Sequence, residues 1–455
     1  MISRSNFIKK IISYFFILDQ KMLYIVVEPE RYPADVSNLR IVENITFFFK
    51  KLEIKKFFKE LVFLIFYNLI KILEIIYIPI IILFYFSKYR FVQINFTQVG
   101  IINEHLNFMI KKNAINGYKS IVLIPKNSDF SFLKEIFSEL IVIDNIVLNL
   151  LLSPLKHSKF ISCRTNEIDN RLDRNLEIIL KTEHTKIENQ FRKKFESTNL
   201  FKFKESYENV EKNKINLLFS NLNLHKLIIF HHRQEFYKTT SALRGSNINS
   251  YYDGLNYLLD KNYHIVRLID NNSEKISFEK KNYYEFNINE NKNRQSQYYL
   301  IKNCRGFLGT SSGPVSIATL FDRPVLETNV FAQRVNVFNE KGNYILKKIS
   351  KNGNILSFKK LFELNFYKGI FLSRRKMEEY GFKVINNSSE EILKAVINFE
   401  KIITDKNFYP NQDQLNFKKA LPNYMELKFT KANIDREFIH LNKTLFEDLI
   451  KYVQK

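Results

Sequence analysis

The sequence predicts an α/β protein of two Rossmann-like, doubly wound domains, preceded by a helical membrane-associated segment. Three observations predict it. Short apolar runs of strand length alternate with segments of helical period from Phe91 to Phe399, the pattern of parallel sheets covered by helices. One such run ends in Gly309-Thr310-Ser311-Ser312-Gly313 and passes directly into a helix-period segment. A lysine-flanked apolar stretch at 50–86 stands ahead of both. The expected division is 1–88 for the apolar and amphipathic N-terminal helices and 89–214 for a first Rossmann-like domain. A second such domain follows at 215–400, then a helical tail at 401–455 that packs back across the cleft. A chain of 455 residues has ample length for two cores.

Met1–Gln20 holds basic residues and the apolar run Ile11–Leu18. Only Asp19-Gln20-Lys21 follows, with no small-residue cleavage site, so an amphipathic surface helix is expected rather than a signal peptide. Lys50, Lys51, Lys55, Lys56 and Lys59 precede an apolar stretch that runs from Leu61 to Phe86. Its only polar interruptions are Asn68, Lys71 and Glu74. About 20 apolar residues span a bilayer, but a charge at mid-membrane costs about 3 kcal/mol. Lys71 and Glu74, spaced i,i+3, would partly offset one another. Pro79 would kink the helix or split it into a hairpin. An in-plane or re-entrant anchor is the leading expectation, ahead of a transmembrane helix and a buried core helix.

The first domain begins with a strand at Phe91–Phe96, then a helix at Ile102–Asn113 and a strand at Ser120–Ile124. A helix at Ser131–Leu140 and a strand at Ile141–Ile143 follow. Polar, helically spaced residues at 165–215 close it. The second domain opens with the strand Lys226–Phe230, which ends in His231-His232-Arg233; Tyr237, Ser241 and Arg244 come next. A helix at Asn247–Leu259 leads to a strand at His264–Leu268. A buried strand leads from Asn303 to the small-residue turn. A helix then starts near Pro314, and Pro324–Leu326 forms another strand. Tyr409-Pro410-Asn411-Gln412 marks a break, and Asn433–Val453 reads as one or two helices.

Two of these strand ends carry chemistry. The Gly309–Gly313 turn puts backbone N–H groups and hydroxyls at a helix N-terminus, where the helix dipole also favours an anion such as phosphate. Pro314 suits the first helical turn because its missing N–H costs nothing there. Arg233, at the end of another strand, would hold a diphosphate from the opposite side, since ligands of open α/β sheets bind outside the carboxyl ends of the strands. Arg244 is a second candidate cation, and His231 a candidate to orient Arg233 or touch the ligand. Glu327 and Asn329, placed after the Pro324–Leu326 strand, are candidates for ribose contact.

At these residues the sequence resembles a bacterial family of glycosyltransferases associated with surface-carbohydrate synthesis. The resemblance rests on His231-His232-Arg233 followed by Tyr237, Leu243-Arg244, Ile248 and Tyr251. It rests equally on Gly309–Gly313 followed by Ala318, Phe321 and Pro324-Val325-Leu326-Glu327-Thr328-Asn329. More loosely, the strand end and the Thr310-Ser311-Ser312 turn are similar to the donor domain of fucosyltransferases with the two-Rossmann (GT-B) architecture. Here the turn is one residue shorter. The resemblance implies transfer of a sugar from a nucleotide-sugar to a surface-glycan or lipid-linked acceptor. Arg233 and the turn would stabilise the diphosphate leaving group. It implies a base from a first-domain loop, for which Glu104 and His105 are the nearest candidates. No cofactor and no metal are implied, and no Asp-x-Asp motif is present.

The formal net charge of +23 calls for anionic partners or an anionic surface. Lysines are scattered rather than massed, and no zinc-finger, RNP-like or basic heptad pattern occurs, so nucleic acid is not an expected partner. The inner membrane surface is, and the expected location is its cytoplasmic face. Cys163 and Cys304 offer neither a disulfide framework nor metal spacing, and Cys304 reads as a core residue. A nucleophile elbow and a G-x-G-x-x-G fingerprint are both missing, which argues against a serine hydrolase and a dehydrogenase. The alternatives kept open are a non-catalytic nucleotide-sugar binding protein and a membrane-surface scaffold on the same fold.

Overall fold

The computed structural model describes residues 77–93, 113–124, 130–155, 162–164, 203–234, 243–331, 340–367 and 374–454, apart from short breaks. The anticipated helices of Met1–Gln20 and 50–76, and Glu104 and His105, lie outside the described residues. Two compact units emerge. The first comprises Met1–Gln93, Lys112–Asn127 and Leu140–Leu180; the second comprises Ile94–Lys111, Ser128–Glu139 and Lys181–Lys455.

The first unit contains strands β1 (Tyr89–Gln93), β2 (Lys119–Leu123), β3 (Leu140–Ile143) and β4 (Ser162–Arg164), all parallel in the order β3-β2-β1-β4. Phe91 lies opposite Ile121, and Ile121 opposite Ile141, so their side chains share one face of the pleat. The helix Ile78–Phe86 packs on that face through Ile81, with Leu155 completing the buried cluster. Pro79 lies in the first turn of this helix, where its missing N–H costs nothing. The Arg90 guanidinium closes the other end by donating to the carbonyls of Phe84 and Tyr85 at 2.9 and 3.0 Å. Among the described residues no helix is long and apolar enough to cross a membrane.

The second unit is built on a seven-stranded sheet. Its strands are β5 (Leu227–His231), β6 (His264–Ile269), β7 (Tyr283–Asn287), β8 (Gly306–Thr310), β9 (Val325–Val330), β10 (Gly342–Leu346) and β14 (Asn433–Ile434). All neighbours pair in parallel, in the order β7-β6-β5-β8-β9-β10-β14. Counted from β5, that is the 3-2-1-4-5-6 order of the doubly wound dinucleotide-binding fold, with one strand added. A three-stranded antiparallel sheet of β11 (Lys348–Lys351), β12 (Asn354–Ile355) and β13 (Phe382–Ile385) stands beside it.

Parallel strands buried on both faces need continuous apolar runs. Leu227–Phe230 and Phe307-Leu308 supply them, all fully buried. The helix Ser389–Thr404 packs against the helix Tyr252–Asp260 and starts with a capping box between Ser388 and Glu391. The C-terminal tail is not purely helical. Asn433–Ile434 joins the sheet, and Asp435 then caps the helix Arg436–Leu441 by accepting from the N–H groups of Glu437 and Phe438. Asn343 and Asn398 also donate to the Asp435 carboxylate, at 3.0 and 2.6 Å. Burial nevertheless pushes its carboxyl up to about 6.

Candidate functional site

Strand order changes direction between β5 and β8, and the crevice at their carboxyl ends is where ligands of such sheets bind. The two strand ends singled out in the sequence are these two. His231 lies opposite Gly309, and the backbone N–H of Arg233 donates to Thr310 Oγ1 at 3.0 Å. Residues 77 positions apart are thereby locked together at the switch point. Gly309 makes the approach possible: a Cβ on it would sit 2.2 Å from the His231 carbonyl oxygen. No other residue type fits without separating the strands.

Arg244 is brought to the same place by a second return of the chain. The Ser246 N–H donates to the Arg233 carbonyl at 3.0 Å, and Gln234 forms a parallel bridge with Ser246. His232 Nε2 donates to the Ser246 carbonyl at 2.8 Å. Arg233 and Arg244 are both partly buried cations and sit on these two paired segments. Burial lowers the Arg233 guanidinium from its usual value, a penalty that a bound anion would offset. His231 and His232 are held neutral. Burial is the main cause, with the neighbouring cations adding to it, and they are pushed down to about 3 and about 4 respectively.

After β8 the chain turns through Ser311 and Ser312 into the helix Gly313–Leu320, with Ser312 extended at the N-cap position and Pro314 in the first turn. Two of the hydroxyls expected to face a ligand, those of Thr310 and Ser311, are engaged internally. Thr310, Ser311 and Ser312 are buried; Thr310 holds the Arg233 backbone, and Ser311 donates to the Glu327 carboxylate. Their contribution is to fix the turn. The partly exposed Gly313 stands at the helix end, where its N–H lacks an intrahelical acceptor; Pro314 carries no N–H, and that of Val315 donates to the Ser312 carbonyl at 3.2 Å.

Glu327 and Asn329 require correction. The strand does not stop at Leu326; β9 runs to Val330, and both residues are fully buried within it. Their flanking apolar residues obscured this, because Glu, Thr and Asn read as the start of a loop. Glu327 sits two strands from His231 and accepts from Ser311. Asn329 has a left-handed backbone (φ 53°) and exchanges hydrogen bonds with Asn387 at 2.6 and 2.8 Å. It also donates to the Tyr251 hydroxyl at 3.2 Å. Both side chains are thus buried and hydrogen-bonded within the protein rather than set in a loop.

One residue that sequence reasoning missed is Lys347. It is buried just after β10, and its ammonium donates to the Gly245 carbonyl and to Asn386 Oδ1. It pins the loop that carries Arg244. Its only sequence signal was a lysine directly after the apolar pair Ile345-Leu346, invisible in so lysine-rich a chain.

No protein-family model matches the sequence, and no curated protein matches it significantly. Among solved structures the chain is similar to a glycosyl transferase of family 9 from Veillonella parvula. Identity there is 10%, over 70% of this chain and 97% of that one, with a TM-score of 0.41. It is similar to the E. coli ADP-heptose LPS heptosyltransferase II at 14% identity, over 62% of this chain and 98% of that one, with a TM-score of 0.38. It is also similar to the dodecameric iron-containing glycosyltransferase TibC from enterotoxigenic E. coli, at 9% identity. That match covers 56% of this chain and 61% of that one, with a TM-score of 0.32.

Proposed function

We propose that this protein is a metal-independent glycosyltransferase that moves a sugar from a nucleotide-diphosphate donor to a surface-glycan or lipid-linked acceptor. The observation that carries the proposal is the meeting of Arg233 and the Gly309–Gly313 turn at the switch point of a 3-2-1-4-5-6 sheet. A diphosphate placed there meets the guanidinium of Arg233, with Arg244 alongside, on one side and a helix N-terminus on the other. Both favour charge that grows on the leaving diphosphate as the sugar–oxygen bond breaks, so their stabilisation is larger in the transition state than in the bound donor. An arginine fork suits this role because it gives two parallel hydrogen bonds to phosphate oxygens and stays charged when partly buried.

The acceptor hydroxyl needs a base, and Glu104 is the proposed one. The direct test is to incubate the full chain with UDP-, GDP-, CDP- and ADP-sugars and follow release of the nucleoside diphosphate. Release from one donor, accelerated by a glycan or lipid-linked acceptor, supports the proposal. Failure to release nucleotide from any donor that binds would make the protein a nucleotide-sugar binder instead. Glu104→Gln should leave donor binding intact and slow transfer; unchanged transfer would remove Glu104 from the scheme.

A further inference from the structure

The first unit presents an apolar face that the nucleotide site does not use. The helix Ile78–Phe86 turns Ile81 into the core, yet Leu83 and Phe86 are 70% and 62% exposed, with Ile80 at 38%. A second helix, Ile146–Leu152, exposes Val147, Leu148 and Leu151 at 59%, 46% and 54%. Leu152 and Leu155 pack on the same buried cluster as Ile81, built on Phe91 and Ile121. Both helices therefore cover the same face of the four-stranded sheet. Large aliphatic side chains at this exposure, on two helices of one face, mark an interaction surface rather than scattered exceptions.

The sequence indicates what covers it. The chain enters the first of these helices at Tyr77 directly from Leu61–Ile76, an apolar segment led by five lysines between Lys50 and Lys59. The described residues of this unit include the exposed Lys88 and Lys119, which are joined by a hydrogen bond from the Lys119 N–H to the Lys88 carbonyl at 2.7 Å. Exposed apolar residues accompanied by lysines complement an anionic lipid surface.

We propose that the helices Ile78–Phe86 and Ile146–Leu152 together dock the first unit on an anionic bilayer, their apolar faces entering the interface while Lys88 and Lys119 meet lipid phosphates. The docking surface thus extends beyond the apolar segment upstream to a helix about 60 residues further along the chain. The surface does not depend on the glycosyl-transfer assignment.

The test uses the full chain and vesicles of phosphatidylcholine alone or mixed equally with phosphatidylglycerol. Leu83→Asp with Phe86→Asp, and separately Val147→Asp with Leu151→Asp, should each weaken binding to the mixed vesicles roughly tenfold or more. Lys88→Glu with Lys119→Glu should reduce binding to mixed vesicles and leave phosphatidylcholine binding unchanged. Val210→Asp with Leu217→Asp, on exposed positions of the other unit, should change nothing. The chain contains no tryptophan, so Leu83→Trp and Leu151→Trp provide single reporters that do not risk folding. Each should shift to the blue on vesicles and be quenched by brominated lipid. Wild-type affinity in both Asp pairs, or an unshifted Trp at position 151, would confine docking to the upstream segment and overturn the proposal. A concentration-dependent dimer lost in the Asp pairs, without vesicle binding, would instead assign the face to a second copy.

Discussion

Both parallel sheets begin with the same strand order, 3-2-1-4, yet their crossing points differ in kind. In the four-stranded sheet, β1 and β4 pair Gln93 with Arg164 across a β4 of three residues. In the seven-stranded sheet, β5 and β8 pair His231 with Gly309 and continue into an arginine, a tight turn and a helix. Topology is common to the two; among the described residues, buried polar groups gather at the second. Buried Thr310, Ser311, Glu327, Thr328, Asn329 and Lys347 all serve to fix the second crossing point or the loops above it. Burying that many polar groups is unfavourable unless each is paired.

That contrast can be broken by mutation, beginning with the largest effect. Phe91→Ala removes a fully buried ring from the first sheet and should cost about 3–5 kcal/mol. Calorimetry should show the loss in that unit's unfolding while nucleotide binding persists; loss of binding would mean the two sheets are not separable in function. Gly309→Ala strikes the other crossing point, where its methyl would meet the His231 carbonyl. A loss of about 3 kcal/mol or more in denaturant titration is expected. An Ala variant of wild-type stability would show that the strands separate easily.

Lys347→Met should cost roughly 1–3 kcal/mol by leaving the Gly245 carbonyl unpaired. Its sharper signature is a raised KM for donor with kcat little changed, because it loosens the Arg244 loop. Equal loss in kcat and kcat/KM would argue for a direct role in the reaction.

The smallest effect is in pH. His231 and His232 are neutral in the folded chain and free to protonate once unfolded, so below about 6.5 the unfolded state takes up more protons. Their contribution is complete above that value and is lost as pH falls toward about 4 and about 3. Asp435 has the opposite sign: with its carboxyl raised to about 6, it adds stability as pH falls from there toward its ordinary value. Two histidines outweigh one aspartate, so Tm should drop between pH 7 and pH 5, less so in His231→Gln. A Tm that rises over this interval would contradict the assignment.

Much of this was legible in the sequence because parallel strands announce themselves. Leu227–Phe230, His264–Ile269 and Phe307-Leu308 read as strands, and the small residues after Leu308 mark the passage from strand to helix, which the structure makes through Ser311 and Ser312. Pairing was not legible. Nothing local places Arg233 beside Thr310, or says that Glu327 and Asn329 belong to a strand whose neighbours bury them. Tyr283–Asn287 and Gly342–Leu346 escaped notice because their mixed Tyr, Asn and Glu content gives no clean apolar run. The Thr310 and Ser311 hydroxyls illustrate the limit best. Their residue types suggest ligand contact, and only tertiary partners reveal that they are used to build the turn.

The central claim is that Arg233 and the Gly309–Gly313 turn form one diphosphate site. Isothermal titration of wild type and Arg233→Ala with UDP, GDP, CDP, ADP and their sugar conjugates tests it most directly. The account predicts that one nucleoside diphosphate binds the wild type and that the substitution weakens it by roughly 10²-fold, about 3 kcal/mol. Equal binding by a folded Arg233→Ala variant would contradict it and place the phosphate elsewhere.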